Sequence, residues 1–302
     1  MTKILVVGSI NMDLVVRVHH SPTPGETVLG SDFTIFPGGK GANQAVAASR
    51  LGGEVSMVGR VGKDDFGDAL IQELVDNKIK TTHVIKDPQA PTGIAMITVA
   101  PNGENMIVVA AGANSMVSVE DVNNARTSMR EADIMLVQLE CPLETVTAAI
   151  DLAKVHCLPV ILNPAPAQSI SRENLSKVDY LTPNRSELAL LTGEDDLEEG
   201  VRKLREWGIQ NIIITLGSNG VRVISEELNL HLPAYEVSAV DTTAAGDAFN
   251  GALAVAIAEG KPFLKAVRYG MAAGALATTK RGAQPSLPSR EAVENLLGRQ
   301  EG

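Results

Sequence analysis

The chain has 302 residues, enough for one large α/β domain or two smaller ones. Hydrophobic residues make up 44% and aromatics only 3%, so a sizeable core is expected and must be built from Ala, Val, Ile and Leu. A formal charge of −10, with no basic run longer than two residues, argues against a nucleic-acid or anionic-membrane surface. A nucleotide held by backbone amides and a few cations remains compatible with that charge.

Ile4–Val7 reads as a first buried strand, too short for a signal peptide or a membrane span. Leu14–Val18, a Pro-rich turn (Pro22, Pro24, Gly25) and a second strand from Thr27 to Phe36 follow. A helix is expected from near Gly41 to Gly52. Next come a strand at Glu54–Val58 and a helix carrying Phe66, Leu70 and Leu74 on one face. Ile94–Val99 and Asn105–Ala110 form a strand pair joined at Pro101-Asn102-Gly103-Glu104, whose Asn-Gly is a hairpin signal. Further strands are expected at Ile134–Leu139, Pro159–Leu162, Tyr180–Thr182 and Asn211–Thr215. A helix carrying Val201, Leu204 and Trp207 is stopped by Gly208, and the last helices fill roughly 245–259, 262–278 and 289–297. The alternation predicts an α/β fold with a central, mostly parallel sheet sandwiched by helices. The helix-free stretches, about 13–36 and 93–110, predict a small inserted antiparallel sheet acting as a lid, a dimer surface, or both. With no linker or repeat, 1–302 reads as one domain. Cys141 and Cys157 make neither a disulfide framework nor a zinc site and suit a reduced, cytoplasmic protein.

The most informative segment is Asp241-Thr242-Thr243-Ala244-Ala245-Gly246-Asp247. Three small residues precede an apolar helical run, so they sit at a helix N-terminus, where unpaired N–H groups and the dipole make an anion site. Asp247 lies in that same site. A lone Asp there is usually a cap. Here Asp241 and a second small-residue turn at 38–42 shift the reading toward phosphoryl transfer, with a base beside a phosphate hole.

That second turn, Gly38-Gly39-Lys40-Gly41-Ala42-Asn43, is not a Walker A motif, because Gly41 stands where Ser or Thr must hold magnesium. No G-x-G-x-x-G fingerprint occurs, which disfavours a nicotinamide enzyme. Lys40 and Asn43 supply donors, although a tight turn into a helix explains the glycines equally well. Asn11, Asp13 and Glu140 follow strands, at the carboxyl edge where α/β sheets gather ligands. Amide and carboxylate there suit sugar hydroxyls, or ordinary turn chemistry. Asn184 and Glu187 have capping-box spacing. Thr215-Leu216-Gly217-Ser218-Asn219-Gly220 suits nucleotide phosphates, or a hairpin turn. The five histidines show no metal or triad spacing.

Together these segments resemble the ribokinase, or PfkB-type, family of ATP-dependent sugar kinases, from the first strand through Pro288. The resemblance implies a helix-sandwiched, mostly parallel sheet with a β-sheet lid that also forms a homodimer contact. It implies ATP and D-ribose as substrates, phosphorylated at the 5-hydroxyl, with Asp247 as general base and Ala244, Ala245 and Gly246 as the anion hole. Asn11, Asp13, Gly39, Lys40, Gly41, Ala42, Asn43 and Glu140 would bind ribose, together with Asp247. Asn184, Thr215–Gly220, Gly246 and Asp247 would contact ATP. Glu187 would place Mg²⁺ through water. Asp241, Thr243, Ala277, Lys280, Gly282 and Ser286 would hold K⁺. Met271 departs from the pattern, standing where relatives often carry His or Asn near the adenine. Competing readings are a kinase for 2-deoxyribose, fructose or a nucleoside, and a non-catalytic binding module.

Overall fold

The computed structural model describes residues 2–100 and 105–300. The chain opens with β1 (Lys3–Val7), leaves the body as β2 (Asn11–Val18) and returns as β3 (Gly30–Gly38). Helix α1 (Lys40–Arg50) follows, then β4 (Glu54–Gly62), α2 (Asp65–Asp76) and β5 (Lys80–Asp87). A second excursion, β6 (Gly93–Val99) and β7 (Asn105–Ala110), leads to α3 (Val119–Asn124) and α4 (Arg126–Glu131). Next come β8 (Ile134–Val137), α5 (Leu143–Val155), β9 (Val160–Leu162), α6 (Arg172–Leu175) and β10 (Tyr180–Leu181). Helices α7 (Arg185–Thr192) and α8 (Leu197–Glu206) precede β11 (Asn211–Thr215) and the hairpin β12 (Val221–Ile224) and β13 (Asn229–Leu232). Helices α9 (Ala245–Ala258), α10 (Phe263–Ala277) and α11 (Arg290–Gln300) complete the fold.

Among the described residues the large sheet has nine strands, ordered β13-β12-β11-β10-β9-β8-β1-β4-β5. It is parallel from β11 through β5, with an antiparallel edge at β12 and β13. Successive side chains of β1 point to opposite faces, and each face meets its own helical layer. Ile4 and Val6 join the core with α1, α2, α9 and α10. Leu5 and Val7 join the core with α3 through α8. Ala-rich faces on α1 and α9 let helices approach closely, which is how so few aromatics build a dense interior.

The small sheet, β3-β2-β6-β7, is antiparallel within each hairpin and parallel where β2 meets β6. Expecting antiparallel pairing throughout overlooks that β2 and β6 both start at the body and run outward, so as neighbours they point the same way. One face carries an apolar row, Ile35–Leu14–Met96–Val108, with Ile35, Met96 and Val108 exposed. The other face, with Asp13, Arg17 and Phe36, looks onto a cavity of about 520 Å³ shared with Asp241, Thr243 and Gly282. The Pro101–Glu104 turn lies outside the described residues.

Boundaries differ where tertiary contacts decide them. β8 stops at Val137 because Leu139 N–H pairs outside the ladder, with Ala165 O. β3 runs from Gly30 to Gly38 because its pairing with β2 extends to Asn11–Gly38. The edge strands β5 and β13, and the short β12 beside the latter, carry too little apolar run to stand out in sequence. No helix among the described residues is long and apolar enough to cross a membrane.

Candidate active site

Helices α1 and α9 cross almost backbone to backbone. A Cβ at Gly251 would come within 2.6 Å of Ala47 Cβ and 2.8 Å of Gln44 O, so only glycine permits this approach. The crossing brings Asn43 and Gln44 of α1 to Asp247 of α9. Asn43 Nδ2 donates to Asp247 Oδ2 at 3.0 Å, and Gln44 Nε2 donates to Asp247 Oδ1 at 3.1 Å. Asp247 is therefore no cap: its carboxylate turns away from its own helix. Ala244, at the N-cap, makes no side-chain cap and sits in the left-handed region at φ 59°. Ala245 N–H donates to Thr242 O at 3.3 Å, and the first bond within the helix runs from Ala248 N–H to Ala244 O. The N–H groups of the exposed Gly246 and of Asp247 have no intrahelical partner and form a potential anion site.

Four carboxylates surround one cation here. Burial pushes Asp247 up, opposed by Lys40, Asn43 and Gln44 and reinforced by Glu140. Burial likewise pushes Asp13 up to about 7, with Glu140 and Asp247 adding and Lys40 opposing. Burial works to lower the Lys40 ammonium, but Asp247, Glu140, Glu187 and Asp13 outweigh it and the net shift is upward. Glu187 is raised by burial and by Asp247, against Lys40 and an Asn184 N–H. The Lys40 charge thus couples the α7 start to the α9 start.

The glycine-rich segment is shaped by its own chain. Asp13 lies directly against Gly38, and Gly39 (φ 88°) packs on Ile10 and Asn11. A Cβ at Gly41 would fall 2.6 Å from Ser9 N. Close approach by these glycines is therefore to Ser9–Asp13, which sets Asn11 and Asp13 beside Lys40–Asn43. Glu140 accepts from Ser9 Oγ and from Lys40 N–H (3.1 Å). Asn11 Oδ1 accepts from Asn114 Nδ2 at 2.6 Å, while Asn114 also pairs with Ile10 N–H and O. That pairing leaves Asn11 to present its amide N–H₂. Asn43 Oδ1 is buried without a hydrogen-bond partner, an acceptor suited to a ligand hydroxyl.

Asn184 and Glu187 close a capping box: Glu187 N–H donates to Asn184 Oδ1 at 2.8 Å and Asn184 N–H to Glu187 Oε2 at 2.7 Å. Thr215 lies alongside, its N–H donating to Pro183 O at 2.9 Å and its strand bridged to Asn184. Gly217–Asn219 form an exposed 3₁₀ turn, and Gly220 is buried. Asp241 accepts from Thr243 N–H (2.9 Å), Thr243 Oγ1 (2.6 Å) and Gly282 N–H (2.9 Å). Burial would raise Asp241, but these bonds and Arg17 hold it below the usual carboxylate range. Thr278 O accepts from Val240 and Asp241 N–H, so the 277–286 loop wraps this carboxylate. Of the loop positions singled out, Ala277, Gly282 and Ser286 are buried and Lys280 is exposed. Met271 is buried in the α10 core.

Several buried polar residues escaped the sequence reading: Ser9, Gln44, Asn114, Gln138, Asn163 and Asn250. A signal existed for some. Gln138 and Asn163 end apolar strand runs at the sheet's carboxyl edge, and Asn250 interrupts an otherwise apolar helix.

Residues 1–290 match the pfkB family of carbohydrate kinases, and the chain belongs to that family. It is a sugar kinase. A ribokinase from Haemophilus influenzae is 43% identical over 97% of both chains. A deoxyribokinase from Salmonella typhi is 38% identical, covering 97% of this chain and 98% of its own. Among solved structures, a ribokinase from Arabidopsis thaliana complexed with ribose and ATP superposes with a TM-score of 0.88 at 33% identity, over 98% of this chain and 99% of that one.

Proposed function

We propose that this chain phosphorylates D-ribose at its 5-hydroxyl, using ATP and releasing ADP. The observation that carries the reading is Asp247, a buried carboxylate gripped on both oxygens at a helix start that nothing caps. Asp247 takes the proton from the 5-hydroxyl as that oxygen attacks the γ-phosphorus, and the bond to the β–γ bridging oxygen breaks. A positioned base contributes about 10²–10⁴-fold. N–H groups around Ala244, Ala245 and Gly246 stabilise the equatorial oxygens of the transferring group. Asn11, Asp13, Gly39–Asn43 and Glu140 bind the sugar. Asn11, its amide oriented by Asn114, offers a donor to the C2 hydroxyl, which favours ribose over deoxyribose. Asn184 and Thr215–Gly220 hold the nucleotide.

Glu187, both of whose oxygens accept from Asn184, would place Mg²⁺ only through an intervening water, the ion neutralising phosphate charge when bound and offsetting the burial that raises this acid. Asp241, held below the usual carboxylate range and wrapped by the 277–286 loop, fits a weakly hydrated cation such as K⁺, with Thr243, Ala277, Lys280, Gly282 and Ser286 as the further positions that would hold it. The protein is one domain, with the small sheet as a lid over the sugar. Its exposed apolar row supports pairing with a second copy into a homodimer. A monomer mass independent of concentration in analytical ultracentrifugation would refute the dimer.

The test of substrate is ADP release with Mg-ATP and K⁺, comparing D-ribose with 2-deoxy-D-ribose. A strong ribose preference in kcat/KM is expected. A preference for deoxyribose would keep the chemistry and overturn the sugar assignment, and no release with either would favour a binding module.

A further inference from the structure

A chain of buried amides runs behind the site and closes on itself. Gln138 Nε2 donates to Gln44 Oε1 at 2.6 Å. Gln44 Nε2 divides its two hydrogens between Asp247 Oδ1 (3.1 Å) and Asn163 Oδ1 (3.0 Å). Asn163 Nδ2 donates to Thr182 O at 3.2 Å, and Thr182 Oγ1 donates to Asn250 Oδ1 at 2.7 Å. Asn250 Nδ2 returns to Gly246 O at 2.8 Å. The loop begins at the Asp247 carboxylate and ends on the carbonyl of the preceding residue. Gln44 is 0% exposed and uses every hydrogen and its oxygen.

Each amide orientation follows from the next. An ionised carboxylate only accepts, so Gln44 must turn Nε2 toward it, and its Oε1 then faces Gln138. Reversing Gln44 would set its oxygen against two acceptors. The sheet's carboxyl edge, through Gln138, Asn163 and Thr182, thereby dictates where Gln44 points.

We propose that Gln44 is a positioning residue for the base: it pins the Asp247 carboxylate against rotation and, by donating to it, favours the ionised form that takes the proton. The inference rests on Asp247 being the base. A carboxylate held at one oxygen by Asn43 and at the other by Gln44 cannot turn about its Cβ–Cγ bond. Asn250 holds the backbone just before it, so base and anion hole move as one piece. Burial and Glu140 act to keep Asp247 protonated, and Gln44 is one of the groups that oppose them. The charged groups facing Asp247 are Lys40 on α1, Glu140 after β8, Asp13 on β2 and Glu187 on α7. None of these changes when Gln44 is replaced.

The experiment is the pH profile of kcat with ribose and Mg-ATP for the wild type, Gln44→Met, Gln44→Glu and Asp247→Asn. Gln44→Met removes the donor at nearly constant volume. Its kcat should fall roughly tenfold to a hundredfold, the range of a lost hydrogen bond to a charged group. Its acid limb should move up by about one pH unit, with the ribose KM within about twofold of wild type. Gln44→Glu, while its introduced carboxyl is protonated, keeps the acceptor and one of the two hydrogens, the one that can reach Asp247, so it should partly restore kcat near the wild-type acid limb. It should then lose activity at higher pH, where the donor is gone and two carboxylates face each other. A merely structural role would lower the folded fraction and leave both limbs in place. If Gln44→Met does not fold, the new alkaline fall in Gln44→Glu is the deciding readout. Wild-type limbs in the folded variants, beside an inactive Asp247→Asn, would overturn the role of Gln44 and leave the base standing. An active Asp247→Asn would overturn both.

Discussion

Helices α7 and α9 start with the same spacing, a cap position followed three residues later by an acid, and end up opposite. At α7, Asn184 accepts from Glu187 N–H and Glu187 accepts from Asn184 N–H, so the turn satisfies itself. At α9, Ala244 has no oxygen to offer, and Asp247 is drawn off to Asn43 and Gln44. The α7 start uses its acid to complete the helix, whereas at the α9 start the Gly246 and Asp247 amides have no cap. A helix end that the protein does not cap is where a phosphate can bind. The acid that would ordinarily close it is free for other work.

The strongest attempt to break this contrast is Asp247→Asn. Loss of the base should lower kcat by about 10²–10⁴-fold while the sugar KM, read from the same initial-rate curves, stays within severalfold. Unchanged turnover would remove Asp247 as the base and leave α9 with an ordinary buried acid.

The charge crowding at the α9 end can be tested through Asp13. Its carboxyl is raised to about 7 from an unfolded value near 4, so the folded chain keeps a proton that the unfolded chain releases above about pH 4. The unliganded protein therefore loses stability as pH rises from about 4 to about 7, and the penalty is complete above that. Asp13→Asn should remove it, raising stability at pH 8 by on the order of 4 kcal/mol and flattening the slope, at the expense of sugar binding. Urea unfolding at pH 5 and pH 8 reads this directly. A variant with the wild-type slope would place the titration elsewhere.

Asn184→Ala sharpens the other side. Breaking the box should cost about 1 kcal/mol of stability in thermal unfolding, while kcat at saturating ATP falls far less than in Asp247→Asn. The smallest effect is expected at Ala244→Gly. Glycine enters the left-handed region without the Cβ penalty, and relief of that strain should stabilise the protein by about 0.5–1 kcal/mol after the entropy glycine adds to the unfolded chain. Destabilisation by that change would mean the alanine methyl packs usefully, as its place beside the α9 core allows.

The alternation of apolar runs and amphipathic stretches defined the helix-sandwiched sheet and the two helix-free hairpins, because periods of 2 and 3.6 are written locally. The small-residue turns and Asp247 were legible for the same reason, since composition alone makes a tight turn and an anion-binding helix start. Three-dimensional closure decided what those residues touch. Whether Asp247 caps its helix or turns to the amides of α1 depends on α1 crossing α9 at Gly251, a contact between residues some 200 apart in the chain. The amides behind it, Gln138, Asn163 and Asn250, lie on separate elements and look unremarkable one at a time. Their significance comes from burial, which makes an unpaired polar atom costly, and only the folded chain says which partner each one meets.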